Sequence, residues 1–189
     1  SNSVRGVFSG GQALNEATVN ASEYITLTSS GSATNFGNLT TARKSPASSA
    51  SSTRGIVGGG NNTSNQQTNI MDYFTIATTG NATDFGDLLV GTQRLGSASN
   101  STRAIWAGGA SSESTIQYIT IATTGNATDF GDLIAGRKEW DGVSSSTKAV
   151  FGGGKLSNNT TTTDIEYVNI ASTGNAQDWG DQAVQAYMF

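Results

Sequence analysis

The sequence predicts an all-β protein made of four copies of one unit. Three observations carry that prediction: two segments recur four times along the chain, each copy divides into short β-rich runs, and no stretch keeps a helical period for three turns. SVRGVFSGG at 3–11 returns as STRGIVGGG (52–60), STRAIWAGG (101–109) and STKAVFGGG (146–154). EYITLTSSGSATNFGNL returns as DYFTIATTGNATDFGDL, QYITIATTGNATDFGDL and EYVNIASTGNAQDWGDQ, so Tyr24, Tyr73, Tyr118 and Tyr167 share one phase. Gly11 lies 13 residues before Tyr24 but Gly109 only 9 before Tyr118, which marks a variable loop between elements of fixed spacing. The units span approximately 1–43, 44–92, 93–137 and 138–189 of a single domain covering 1–189.

Each element follows in order. Val-Arg-Gly-Val-Phe, with equivalents carrying Ile56, Trp106 and Phe151, is a strand stopped by two or three glycines, which permit positive φ. The Tyr-Ile-Thr-Ile run alternates, placing Ile25 and Leu27, Phe74 and Ile76, Ile119 and Ile121, or Val168 and Ile170 on one face. Thr-Gly-Asn-Ala, with Gly80-Asn81 and Gly125-Asn126, is turn chemistry, and Asp-Phe-Gly-Asp-Leu is the return strand. The small-residue stretches SPASSASS (45–52), GSASNS (96–101) and VSSSTK (143–148) read as a further strand. Four strands in about 48 residues, repeated in tandem, are the pattern of β-propeller blades, whose sheets cover one another around an axis. Small side chains then suit the crowded innermost strands, and Phe36, Phe85, Phe130 and Trp179, which recur at one phase, are expected to be buried between blades.

Composition excludes much chemistry. The 189 residues include no His and no Cys, so a Ser-His-Asp triad, a thiolate nucleophile, a disulfide framework and the usual zinc ligands are all ruled out. No enzyme activity, no cofactor and no bound metal are expected. Ten basic against 14 acidic residues, with no cationic run, argue against a nucleic-acid partner or an anionic membrane surface. No apolar stretch approaches the roughly 18 residues of a membrane span, so no membrane insertion is expected. The opening SNSVRG carries neither Met nor an apolar signal-like run and reads as processed or trimmed.

The units resemble kelch repeats, whose blades carry a Gly-Gly pair, a Tyr, a later aromatic and a basic residue beyond it. Here these are Gly10-Gly11, Tyr24, Phe36 and Arg43; Gly59-Gly60, Tyr73, Phe85 and a displaced Arg94; and Gly108-Gly109, Tyr118, Phe130 and Arg137. The last copy has Gly153-Gly154, Tyr167 and Trp179, with Ala186 where the basic residue belongs. The wording of the repeats is also similar to kelch-like repeats in virion structural proteins of tailed phages of the cyanophage type. The resemblance implies a four-bladed kelch-type propeller, located in a virion or outside a cell, that works with other structural subunits.

With the Ser-rich stretch taken as innermost, the first blade lacks that strand. Either the tail 185–189 closes a four-bladed ring or another chain fills the edge, because bare strand edges invite pairing.

Recurring charged residues have structural readings beside functional ones. The pairs Asp84/Asp87, Asp129/Asp132 and Asp178/Asp181 are candidates for acid–base work or calcium, but their once-per-unit placement favours turn bonds. Arg5, Arg54, Arg103 and Lys148 favour ties to neighbouring carbonyls or carboxylates over an axial anion ring. Departures from the repeat are the better binding candidates. The loops 11–22, 60–69, 109–115 and 154–163 vary and carry hydrogen-bonding side chains, among them Asn61, Asn62, Asn158 and Asn159. Trp140, between Glu139 and Asp141, offers a ring for stacking a sugar, but the reading as a cap on the end of the core is favoured.

The expected function is a non-enzymatic structural or adhesion module, such as a tail fibre, virion decoration or extracellular surface protein, that binds carbohydrate or protein through its blade loops. Its expected partners are other structural subunits in a homo-oligomer or virion assembly, and host surface glycan. The alternatives are a repeat protein that polymerises by strand addition and a glycan-active propeller enzyme.

Overall fold

The computed structural model describes residues 1–111 and 113–186, which form five antiparallel sheets, one main sheet per unit and a two-stranded one, with no helix among the described residues. The first sheet has three strands, β1 (Arg5–Gln12), β2 (Thr18–Thr26) and β3 (Thr34–Asn38), in that order. The second has four: β4 (Ala47–Ala50), β5 (Arg54–Gly58), β6 (Ile70–Thr75) and β7 (Thr83–Asp87). The third repeats this with β8 (Gly96–Ser99), β9 (Arg103–Ala107), β10 (Thr115–Thr120) and β11 (Thr128–Asp132). Two short strands, β12 (Arg137–Lys138) and β15 (Lys155–Leu156), pair at the entry to the fourth sheet, whose order is β13 (Asp141–Ser144), β14 (Lys148–Gly152), β16 (Asp164–Asn169) and β17 (Gln177–Asp181). The Ser-rich segments are thus strands at one edge of three sheets, and β1 has no such neighbour in the first sheet.

The register repeats as closely as the sequence. Arg5, Arg54, Arg103 and Lys148 stand opposite Thr26, Thr75, Thr120 and Asn169. Every sheet has a bulge at the same place, at Ser22/Glu23, Met71/Asp72, Ile116/Gln117 and Ile165/Glu166. The bulge matters because it swings the outer strand against the turn of the next unit. Gly37, Gly86 and Gly131 sit there with φ of 151, 137 and 145°, and a Cβ on them would stand 2.1, 2.5 and 2.5 Å from Gly80, Gly125 and Gly174 backbone. Only glycine fits both the angle and the gap.

Each sheet lies against the next. Between the first and second are Phe36, Leu39, Val57, Phe74 and Ala82. Ile56, Met71, Phe85, Leu88, Trp106 and Ile119 fill the second gap. Ile105, Ile116, Phe130, Phe151, Val168 and Ile170 fill the third. Both faces of the inner sheets are therefore apolar, as sheets covered on two sides require. Backbone bonds stitch the stack: Gly80, Gly125 and Gly174 N–H groups donate to Phe36, Phe85 and Phe130 carbonyls, each at 2.7 Å. Among the described residues, no hydrogen bond or apolar cluster joins the fourth sheet to the first.

One expectation is corrected. Phe36, Phe85 and Phe130 are buried, but Trp179 is 54% exposed, because no following sheet lies on the fourth. Gln185 and Ala186 run along their own unit, with Thr161 Oγ1 donating to Gln185 Oε1 and Gly154 N–H to Ala186 O. Tyr187, Met188 and Phe189, the rest of the expected closing tail, lie outside the described residues.

Candidate binding surface

Two hollows and a loop rim are the surfaces to consider. The first hollow, about 350 Å³, is walled by β4, β8, β13 and the free edge of β1, with Val7 and Ser9 facing Ser49, Ala98, Ser99 and Ser144. Four of its serines, Ser49, Ser97, Ser99 and Ser144, are engaged across neighbouring sheets. Ser97 Oγ donates to Ser48 O at 2.9 Å, Ser99 Oγ to Ala50 O at 2.9 Å, and Ser144 Oγ to Ser99 O at 2.7 Å. Small side chains there do more than avoid a clash, since they replace strand pairing between sheets with hydroxyl-to-carbonyl bonds.

The second hollow, about 330 Å³, opens on the rim where the linking segments enter β4, β8 and β13, and its lining includes Pro46, Ser48, Arg94, Glu139 and Asp141. Ser45, Arg94 and Glu139 occupy one repeat position with φ of 54, 59 and 59°, a left-handed corner that turns each linker into its strand. Arg94 pairs with Glu139, which Lys155 also meets at 2.8 Å. Burial alone would raise the Glu139 carboxyl, but the Lys155 hydrogen bond and the charges of Arg94, Lys155 and Lys138 hold it below its ordinary value. Arg94 is half exposed and Asp141 is exposed, so the mouth presents a charged donor beside a charged acceptor.

The predicted rim residues separate into turn formers and surface groups. Asn62 Oδ1 accepts from the Ser64 and Gln66 N–H groups, and Asn158 Oδ1 from Thr160 N–H and its hydroxyl. Asn159 holds φ of 63° at the tip of its hairpin and is exposed. Asn61 is buried, bridging backbone to Lys44 in both directions. Trp140 is 4% exposed, its ring 5.2 Å from Phe151 and under the Arg137 guanidinium, and its Nε1 donates to Ala107 O. A ring packed in this way caps the core, while Trp140 also lines the second hollow with only 4% of its surface exposed.

The recurring arginines are engaged between sheets. Arg5 donates to Ile76 and Ala77 carbonyls, Arg54 to Ile121 and Ala122, and Arg103 to Ile170, each lying over its own unit's Tyr at 4.6–4.7 Å. Asp84 and Asp178 accept the N–H two residues on, as turn residues do. Among the described residues, no three Asp or Glu side chains cluster as metal ligands would.

Sequence reasoning missed a second set of polar residues, Asp72, Gln117 and Glu166, all buried one position before the Tyr. Asp72 accepts from Thr40 N–H and the buried Arg43 guanidinium at 2.7 Å. Gln117 accepts from Leu89 N–H, and Glu166 accepts from Ile134 N–H and Arg137. A polar side chain at that phase in every unit was the available signal. Desolvation lowers the Arg43 guanidinium from its usual range, against the charge of Asp72, and lowers that of Arg137 against Asp164.

Comparison with protein-family models gave no match, and comparison with curated protein sequences gave none either.

Proposed function

We propose that the chain is a non-enzymatic structural and adhesion module, an open kelch-like β-propeller arc of four blades carried by a virion or an extracellular surface, which binds carbohydrate at its loop rim. The observation that carries this reading is the division of labour among polar groups. Arg5, Arg54 and Arg103, which recur with the repeat, are engaged between sheets, whereas Arg94, paired with Glu139 but half exposed, and the exposed Asp141, which break the repeat, line a rim hollow of about 330 Å³. A sugar hydroxyl both donates and accepts, so a guanidinium beside a carboxylate suits it, and Pro46 with Leu95 supplies an apolar floor. Catalysis has little support, because the recurring carboxylates act as turn and tie residues. The second reading, self-assembly by strand addition, is favoured by the uncovered edge of β1.

A glycan array probed with the purified chain tests the first reading. Binding to a defined glycan set that is lost in Arg94→Ala and Asp141→Asn, with melting unchanged, is the expected result. Binding that survives both substitutions, or an array that stays empty, overturns it.

A further inference from the structure

The two ends of the stack expose faces that match one another. On the first sheet, Phe8 is 61% and Leu27 50% exposed, with Ile25 between them half-buried. Register makes Phe8 the equivalent of Val57, Trp106 and Phe151, which are 3%, 0% and 0% exposed, and Leu27 the equivalent of Ile76, Ile121 and Ile170. Those buried residues are the knobs that each sheet presses into the sheet before it. Trp106 lies over Gly58 and donates to Ala47 O, in a cluster with Ile56, Met71 and Leu88. Phe151 lies over Gly96 among Ala98, Ile105 and Ile116.

The fourth sheet carries the corresponding hole with nothing in it. A hollow of about 410 Å³ is lined by Asp141, Val143, Val150, Gly152, Ile165 and Gln182. In register these are the positions of Ala47, Ser49, Ile56, Gly58, Met71 and Leu88, the floor on which Trp106 rests. Val143 is 70% exposed there, and Trp179, on the outer strand of the same sheet, is 54% exposed. Knob size also fits. Val57 meets the three-stranded first sheet, whereas Trp106 and Phe151 meet sheets with an inner strand, and the fourth sheet has one, β13.

The polar groups are matched as well. Lys148 holds the place of Arg5, Arg54 and Arg103 but lies over Tyr167, with no following sheet whose carbonyls it can reach. The equivalent acceptors, the carbonyls of Leu27 and Thr28, are at the other end. Gly31 N–H corresponds to Gly80, Gly125 and Gly174 N–H, and the carbonyl of Trp179 to those of Phe36, Phe85 and Phe130. Gly180 keeps φ of 131° with nothing within 4 Å of a Cβ, where its equivalents are pressed by the next turn.

We propose that copies of this chain dock head to tail, Phe8 of one entering the hollow over Val143 and Val150 of another, so that the joint between chains repeats the joint within them. Such a contact uses two different surfaces, so it either closes into a ring or extends as a filament. The joint stands independently of what the rim binds. It differs from the internal ones at Glu23, whose equivalents Asp72 and Glu166 meet Arg43 and Arg137, whereas the fourth unit offers Ala186 at that position. The joint is therefore weaker than the internal ones and concentration-dependent.

Sedimentation velocity of the purified chain across micromolar concentrations tests this, with Phe8→Glu and Val143→Glu as variants at exposed positions and circular dichroism to verify their fold. The expected result is association of the wild type and monomers for each variant alone. Their mixture is expected to form a species of twice the 19.4 kDa chain mass, since each variant keeps one intact face. Ala186→Arg is expected to tighten the wild-type association by supplying a partner for Glu23. A wild type that stays monomeric at every concentration overturns the proposal, as does association that Phe8→Glu leaves untouched. A monomer whose melting falls with Phe8→Glu also overturns it, by placing the first sheet on the fourth of the same chain.

Discussion

Truncating one aromatic at two copies of the same repeat position separates packing from sequence pattern. Phe85 is 2% exposed, lies with Ile56, Met71 and Ile119, and meets Tyr73 edge-on with centroids 5.9 Å apart. Removing its ring forfeits about 2–3 kcal/mol of apolar burial. The aromatic pair adds roughly 0.5–1.5 kcal/mol. With the cavity left between two sheets, Phe85→Ala is expected to cost about 3–5 kcal/mol. In a chain of this size each kcal/mol lowers the midpoint by about 2–4 °C, so the melting point should fall by roughly 6–20 °C. Trp179 has the same phase and a similar partner, Tyr167 at 5.2 Å, but no sheet covers it, so Trp179→Ala should cost only about 1–2 kcal/mol. The assay is thermal and urea unfolding by circular dichroism in dilute solution, where chains are separate. Equal losses at the two sites, or an unchanged Phe85→Ala, would refute the stacking order.

Asp72→Ala should cost about 3–5 kcal/mol in urea unfolding, because it strands the buried Arg43 guanidinium, while pairing Arg43→Met with Asp72→Leu should recover most of that loss. Arg54→Ala should cost about 1–3 kcal/mol through two carbonyl bonds at 2.9 Å and the Tyr73 contact, clearly more than Lys148→Ala at the uncovered end. The Glu139 carboxyl sits below its ordinary value of about 4.5, so it adds stability above that pH that is lost as pH falls through the folded value. The stability difference between wild type and Glu139→Gln should then be constant near neutrality and shrink below about pH 4.5, and a difference that persists to lower pH would contradict the pairing with Lys155 and Arg94. Gly86→Ala should destabilise far more than Gly180→Ala in the same melts, since both strain φ but only the first meets backbone at 2.5 Å.

The strands were legible because the repeat supplies four readings of one pattern. Alternation in Tyr-Ile-Thr-Ile, glycines after Val-Phe, and the Gly-Asn turn each locate an element, although β1 continues through Gly10 and Gly11 to Gln12 and β2 begins at Thr18, six residues before Tyr24. The unpaired edge of the first unit was legible too, from the missing Ser-rich run before Arg5. Trp179 was misread because repeat position reports what an element would pack against and says nothing of whether a neighbour is present. The Asn residues of the rim were singled out as variable and polar, yet variation in a hairpin also selects turn formers, and Asn62, Asn158 and Asn159 are turn formers in part. Trp140 drew a sugar-stacking reading because carboxylates flank it in sequence, and the core cap favoured beside that reading is what its burial shows. In a strand entry adjacent residues face opposite ways, so Glu139 and Asp141 reach the rim while the ring turns inward onto Phe151.

The buried polar positions explain why four near-copies stack in one order. The residue before each Tyr runs Asp72, Gln117, Glu166, and the linker of the preceding unit supplies a guanidinium where the acceptor is an acid, Arg43 and Arg137, but Thr92 where it is an amide. Shifting the stack by one unit would set Arg43 on Gln117 and leave Glu166 facing Thr92, a buried carboxylate without a counter-charge at a cost of several kcal/mol. Apolar knobs reinforce the choice, since Trp106 in place of Val57 would meet a sheet lacking the inner strand whose Ala47 carbonyl receives its N–H. The repeat supplies a common geometry, and a handful of paired departures from it fix which sheet lies on which.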